Sequence, residues 1–170
     1  RVLDNFVTGK MENLKGVRKD IELIRADIRD KRLVGKAVKG VDYVIHQAAL
    51  RSVPKSVKNP VLYNEVNVYG TLNLLIASAA AKVKRFIFAS SSSVYGDTKE
   101  LPEKETLEPL PISPYAVSKL AAEGYCRTFN KLFGLETVSL RYINVFGPRQ
   151  SLESQYAVVI PRFIISMLNN

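Results

Sequence analysis

The stretch SPYAVSKLAAEGY, residues 113–125, sets Tyr115 and Lys119 four positions apart. On a helix, positions i and i+4 share a face, so a phenol and an ammonium would project side by side. A free phenol titrates near ~10 and is a poor base at neutral pH. A close ammonium favours the phenolate and makes it a usable base. Making a phenol tenfold more acidic takes about 1.4 kcal/mol, so a hundredfold change or more demands close contact. Many helices carry a Tyr and a Lys so spaced without doing chemistry. The pair therefore gains meaning only from its surroundings. A run of four serines, Ser90 to Ser93, is the nearest candidate neighbour, although alone it reads equally well as a polar turn.

The elements that must position these groups alternate along the chain. Val2-Leu3 and residues 22–26 are short apolar runs, read as strands. Residues 31–38 place Leu33, Val34, Ala37 and Val38 at helical spacing. Residues 41–45, VDYVI, predict a buried strand, and residues 60–81 predict one long helix. Residues 85–89, RFIFA, are a further strand. Residues 97–114 hold four prolines without a period and read as a loop. A helix is predicted from Pro114 to Phe133 with Gly134 as its stop, then a strand at 137–141. Strands alternating with helices imply βαβ units, hence a doubly wound parallel sheet with helices on both faces. Ligands bind such a sheet beyond the carboxyl ends of its strands. Small or polar residues stand at those ends: Asp4-Asn5, Asp27, His46-Gln47-Ala48-Ala49, Ser90–Ser93 and Tyr142–Asn144.

Composition narrows the partners. The 170 residues suit one domain with a substantial core, and 46% hydrophobic with 24% charged residues is an ordinary globular mixture. No apolar run reaches the ~18 residues of a membrane span, and Arg1-Val2-Leu3-Asp4 turns polar at once, unlike a signal peptide. One cysteine, Cys126, and one histidine argue against a disulfide scaffold or metal cage, and a reducing cytoplasm fits. The formal charge of +9 raises nucleic acid as a partner. The cations are interleaved with Asp20, Glu22, Asp27 and Asp30, and residues 97–108 hold five acids. A solvated surface with some bias toward anionic ligands is the preferred reading.

Eight ordered motifs carry a family resemblance: VLDNFVTG at 2–9, ADIRD at 26–30, VDYVIHQAA at 41–49, NVYGTLNLL at 67–75, FASSSSVYG at 88–96, SPYAVSK at 113–119, RYINVFGPRQ at 141–150 and YAVVIPRF at 156–163. Together they resemble the extended short-chain dehydrogenase/reductase superfamily, in its branch of nucleotide-sugar 4-epimerases. The resemblance implies a Rossmann-like fold and NAD as cofactor. It implies Ser91, Tyr115 and Lys119 as the catalytic set. It implies cofactor contacts at Asp4, Asn5, Asp27, Ile28, Gln47, Ala48, Ala49, Arg51, Asn67, Tyr115, Lys119 and Tyr142. Asp4 would accept the adenosine ribose hydroxyls, Arg51 would reach phosphate, and Asn67 would support the active-site loop. Substrate contacts are implied at Ser92, Ser93, Asn144, Ala157, Val158 and Phe163. His46, backed by an apolar strand, reads instead as a satisfied core histidine.

The expected organisation is a partial NAD-binding domain over residues 1–150 and the start of a substrate-binding region over 151–170. The family's first strand and glycine-rich turn, and most of its substrate domain, would lie outside these residues. The expected function is epimerisation of a UDP-hexose, of glucose or N-acetylglucosamine type, at carbon 4 through a 4-keto sugar. A cytoplasmic homodimer is expected, without metal, membrane or nucleic acid. Alternatives are another nucleotide-sugar enzyme of the superfamily, a dehydratase or uronate epimerase, or a non-catalytic dinucleotide- or nucleic-acid-binding domain. Ser92-Ser93 stand where dehydratases of the superfamily place Asp-Glu, which argues against dehydration.

Overall fold

The structure, a computed structural model, describes residues 1–150 and 159–169. Among the described residues there are five strands: β1 (Val2–Asp4), β2 (Leu23–Arg25), β3 (Tyr43–His46), β4 (Arg85–Ser91) and β5 (Glu136–Tyr142). The helices are α1 (Lys31–Val38), α2 (Val53–Lys58), α3 (Pro60–Tyr63), α4 (Gly70–Ala80), α5 (Pro114–Phe133) and α6 (Val159–Leu168). All strand pairings are parallel, as the alternation requires, in two sheets: β1–β2, and β3–β4–β5 in that order.

Helix limits follow from capping. Asp30 accepts the Leu33 amide at 3.0 Å to start α1. Ser113 accepts the Ala116 amide at 3.2 Å, and Pro114 takes the first helical position of α5. Gly134 ends α5 with φ +67°, a conformation that costs glycine nothing. The long helix expected over 60–81 exists but is not uniform. Asn64–Tyr69, between α3 and α4, is wound as π-helix. Inside that widened turn, Asn67 hydrogen-bonds another segment and Thr71 donates to the Asn67 carbonyl at 2.5 Å. The short helix α2 was not legible from periodicity. Its Ser52 cap, which accepts the Lys55 amide, was the available signal.

Register separates the two faces of the larger sheet. Val44, His46, Phe86, Phe88, Ser90, Thr137, Ser139 and Arg141 alternate onto one face. There Phe86 and Phe88 join Leu75, Val34, Ala122 and Cys126 in the core. Each fully buried phenylalanine contributes roughly 2–3 kcal/mol. Helix α4 packs against both α1 and α5 over this core. The expectation of helices on both faces is not met among the described residues. The opposite face leaves Ile45 65% and Val138 39% exposed. VDYVI therefore forms a strand buried on one side only. A cleft of about 1240 Å³ separates the unpaired edges of β1 and β3, bordered by Val2–Asp4 and Tyr43–His46.

Candidate active site

Tyr115 stands in the first turn of α5, and its amide donates to Ser56 Oγ on α2 at 3.1 Å. Lys119, one turn on, is 4% exposed. Its Nζ donates to the carbonyl oxygen of Ala89 at 2.8 Å and lies 5.9 Å from the Tyr115 ring centre. Burial pushes the ammonium down to about 8. The phenol moves the other way: burial raises Tyr115 above its ordinary value, and neighbouring Tyr63 adds to this. The Ser91 hydroxyl and the Arg51 charge oppose that rise without cancelling it. The expected help of a nearby ammonium to the phenolate thus meets a larger opposing effect. Its ammonium is aimed at a backbone carbonyl, and desolvation of the ring is the larger effect.

The serine run divides by strand alternation. Ser90 turns its hydroxyl to the helix face, where it donates to Glu123 Oε1 at 2.5 Å. Ser91 turns to the other side and accepts from the Ser93 hydroxyl at 2.8 Å and the Ser93 amide at 3.2 Å. With both acceptor sites used, its own proton is available toward Tyr115. Ser93 is thus engaged with Ser91, where a contact to substrate was expected.

Ser91, Ser92, Ser93, Tyr115, Lys119, Tyr142 and Asn144 all border one cleft of about 770 Å³. It adjoins the larger cleft, which Asp4, Ile28 and Ala48 border. Gln47, Ala49 and Arg51 border both. Residues drawn from four strand ends and α5 therefore converge on two connected clefts.

Other expected contacts sit differently. Asn5 and Asp27 border neither cleft among the described lining residues and bond each other at 2.9 Å. Asp27 also takes the Arg29 amide, Nε and Nη2, each at 2.9 Å, so its acceptor positions are filled within the chain. The Ile28 side chain is 5% exposed and belongs to the core, leaving little of it for an adenine ring. Asn67 is buried, accepts the Leu50 amide at 2.8 Å and donates to the Leu50 carbonyl and Ser118 Oγ. It is a support for the loop after β3, with both amide protons committed within the chain. Phe163 is exposed on α6 and borders neither cleft, and Ala157 and Val158 lie outside the described residues. His46 is a satisfied core histidine. Thr71 Oγ1 commits its proton to Asn67, so His46 Nε2 donates to Thr71 at 2.8 Å, and burial holds the ring neutral, down to about 3.

Sequence reasoning passed over Glu123, Arg141 and Tyr63. Glu123 follows Lys119 by one turn and is 3% exposed, and a carboxylate on the buried face of α5 was the signal. Arg141 binds it from β5. Tyr63 packs edge-on to Tyr115, with ring centres 6.5 Å apart.

Residues 2–170 match the profile of the NAD dependent epimerase/dehydratase family. This chain belongs to that family. It is similar to the UDP-glucose 4-epimerase of Mycolicibacterium smegmatis, 37% identical over 161 residues, which cover 92% of this chain and 51% of that protein. A UDP-N-acetylglucosamine 4-epimerase structure from Methanobrevibacter ruminantium superposes with TM-score 0.92 at 46% identity, over 98% of this chain and 54% of the other. A Thermus thermophilus UDP-glucose 4-epimerase, solved with NAD, gives 0.87 at 45% identity, over 94% and 52%. The family member described here therefore has a Rossmann-like fold and spans about half the length of the relatives it matches.

Proposed function

We propose that this protein epimerises a UDP-hexose, of glucose or N-acetylglucosamine type, at carbon 4 with NAD. The reading concerns the whole protein, because the chain spans about half of its relatives. The observation that carries it is the convergence of Ser91, Tyr115 and Lys119 on one cleft that opens into a second. The M. smegmatis relative is named for glucose and the M. ruminantium structure for N-acetylglucosamine, so both sugars stay in the proposal.

A dinucleotide would lie along the carboxyl-end rim of the larger cleft, which Asp4, Gly9, Gln47, Ala48 and Ala49 border. Asp4 ends β1 there with Oδ1 held by the Phe6 amide at 2.6 Å. A Cβ on Gly9 would stand 2.9 Å from Asp4 Oδ2, so glycine keeps that carboxylate clear for ribose hydroxyls. Ala48 and Ala49 leave backbone accessible along the cleft. NAD, when bound, supplies a hydride acceptor and donor at carbon 4. Tyr115 as phenolate takes the 4-hydroxyl proton and later returns it to the inverted oxygen. Ser91 donates to that oxygen and keeps it beside the phenol. Lys119, fixed by Ala89, lends positive charge one turn away. Asp27 acts by holding Asn5 and Arg29 in place, and Asn67 by holding Leu50. Tyr142 and Asn144 border the same cleft as Tyr115, which suits Tyr142 as a cofactor contact and Asn144 as a substrate contact.

Residues 1–150 would form the cofactor part and 151–170 begin the substrate part. Val61, Ile76 and Val117 on α3, α4 and α5 are exposed apolar residues of the kind a second copy covers, which supports a homodimer. No helix among the described residues is long and apolar enough to cross a membrane. A cytoplasmic setting belongs to the proposal. Burial holds the Cys126 thiol up to about 11, the mark of an unreactive structural cysteine.

The test is conversion of UDP-glucose and UDP-N-acetylglucosamine by the full-length protein with NAD, resolved by chromatography. Tyr115→Phe should cost 10²- to 10⁴-fold in turnover with binding little changed, the usual scale for loss of a general base. A folded, NAD-loaded protein that left both sugars unchanged would sink the reading.

A further inference from the structure

We infer that Ser56 and Tyr63 are positioning residues for Tyr115. They belong to a bracket of two short helices, α2 and α3, that fixes the backbone and the ring of the base so that its hydroxyl keeps one place in the cleft. The inference rests on the reading of Tyr115 as the base.

The start of α5 needs partners from elsewhere. The first amides of a helix have none within it. Pro114 carries no amide proton, and Ser113 Oγ takes the Ala116 amide at 3.2 Å. The Tyr115 amide is left, and it donates to Ser56 Oγ at 3.1 Å, 59 positions back in the sequence. Ser56 is fully buried and gives its own proton to the Val53 carbonyl at 2.6 Å, which leaves its oxygen as an acceptor. The Tyr115 carbonyl is engaged too. Ser118 Oγ donates to it at 2.7 Å and itself accepts from Asn67 at 3.0 Å.

The ring has its own hold. Tyr63, at the end of α3, meets it edge-on, with ring centres 6.5 Å apart and planes at 89°. Aromatic rings attract each other in this arrangement. Tyr63 is 3% exposed, and its hydroxyl accepts the Ser52 amide at 3.1 Å. The Ser52 carbonyl in turn accepts the Ser56 amide at 2.9 Å. One bonded chain therefore runs from Tyr63 through Ser52 to Ser56, and both of its ends touch Tyr115. Helices α2 and α3 pack against α5 and against each other. Yet none of residues 52–63 belongs to the main hydrophobic core of the described residues. What the two helices cover is the start of α5, and with it Tyr115.

Such a bracket controls position. A reacting group misplaced by about 1 Å can lose roughly 10²-fold in rate. Loss of one hold lets the ring drift by part of that distance, so Ser56→Ala should lower kcat roughly 10-fold, and Tyr63→Leu by at least as much. Tyr63→Phe keeps the ring edge and should keep most of the rate. Neither Ser56 nor Tyr63 borders either cleft. KM for the sugar nucleotide and affinity for NAD should therefore stay within about twofold.

The experiment uses the full-length, NAD-loaded protein with a fluorine label on the ring of Tyr115. Its fluorine resonance is compared in the parent, Ser56→Ala, Tyr63→Phe and Tyr63→Leu, beside steady-state kinetics of the same variants without the label. The parent should give a narrow line displaced from its position in urea. Tyr63→Phe should nearly keep that line, whereas Ser56→Ala and Tyr63→Leu should broaden it or return it toward the unfolded position. In turnover the loss should fall on kcat and leave KM in place. The fluorine readout needs no sugar, so a moved line in a protein inactive on both sugars counts against the epimerase reading and leaves the bracket standing. Ser56→Ala removes a single oxygen, so it decides the matter even if Tyr63→Leu does not fold. A fluorine line unmoved by Ser56→Ala would overturn the inference. So would a moved line in an active enzyme whose kcat stayed at the parent value, or a loss confined to KM.

Discussion

Arg141 on β5 grips Glu123 on α5 through parallel hydrogen bonds, Nε to Oε1 at 3.0 Å and Nη2 to Oε2 at 2.9 Å. Ser90 on β4 completes the knot by donating to Oε1. Each partner is next to a cleft residue: Ser90 precedes Ser91, Arg141 precedes Tyr142, and Glu123 follows Lys119 by one turn. The knot therefore holds in one frame the elements that carry the candidate chemistry. Burial pushes the Glu123 carboxyl up as the largest single effect, but the bonds from Arg141 and Ser90 with the nearby positive charges together bring it below its ordinary value.

Breaking this pair from one side should be worse than removing it. Arg141→Met leaves the buried carboxylate with the Ser90 bond and with Arg127 at 3.9 Å as its remaining partners, so the loss should lie toward the low end of the roughly 3–5 kcal/mol for breaking a buried pair. Glu123→Gln together with Arg141→Met removes both charges and should recover a large part of that loss. Urea unfolding of the parent, the singles and the double variant measures the coupling. Additive losses would show that the pair does not act as a unit.

Lys119 should be held at a cost in stability. Its folded value of about 8 lies below the 10.5 of an exposed lysine, because burial disfavours the charge. For a lysine depressed in this way, the penalty appears as pH falls from the unfolded value and is complete below the folded one. Lys119→Met should therefore stabilise the protein at pH 6–7 by on the order of 2 kcal/mol, after loss of the Ala89 bond. The gain should vanish above about pH 10.5. Turnover should be lost in the same variant. Equal stability of variant and parent at pH 6 would contradict the burial argument.

Much of the frame was legible because it rests on local rules. Helix α1 came from the apolar spacing of Leu33, Val34, Ala37 and Val38, and α5 from Pro114 and Gly134 at its two ends, signals that are written in the residues themselves. The π-helical turn at Asn64–Tyr69 was not, because what shapes it is Asn67 reaching Leu50, a contact between segments distant in sequence. The exposed face of VDYVI was misread for the same reason. A β-branched run tells that a strand forms, and its neighbours decide how many of its sides are covered. In the site, residue types at strand ends pointed to the Ser90–Ser93 run, the i, i+4 spacing to Tyr115 and Lys119, and the family resemblance to Ser91 within the run. Glu123 and Arg141 were hidden because a buried ion pair leaves no periodic trace.

Asp27 should govern part of the acid limb. The Arg29 hydrogen bonds, followed by the Asn5 bond and the Arg29 charge, outweigh burial and hold its carboxyl down at about 2, against 3.8 ordinarily. A depressed carboxyl stabilises fully above its unfolded value and loses that contribution as pH falls through the folded one. Asp27→Asn should be less stable than the parent at pH 6 by about 1–2 kcal/mol, allowing for the partial exposure of Arg29. The gap should close between pH 4 and pH 2. Denaturant midpoints at pH 6, 4 and 2 test this, and a gap that persisted at pH 2 would assign the loss to packing.

Cofactor choice should turn on Asp4 and Gly9 together. Asp4 Oδ1 is fixed by the Phe6 amide, so the carboxylate cannot swing away, and Phe6 itself adopts φ +57° to make that bond. Oδ2 faces the space that Gly9 leaves open, where a Cβ would come within 2.9 Å. A carboxylate so held accepts from ribose hydroxyls and repels a 2′-phosphate. The full-length parent should therefore bind NAD well ahead of NADP. Asp4→Ser should narrow the preference by removing the repulsion, with NAD itself bound more weakly. Gly9→Ala should weaken NAD without improving NADP, because it crowds the carboxylate and leaves its charge. Calorimetric titration of both cofactors into the parent and the two variants separates the effects. If Gly9→Ala and Asp4→Ser changed the two affinities alike, the pair would act through the shape of the cleft, and charge would have no part in the selection.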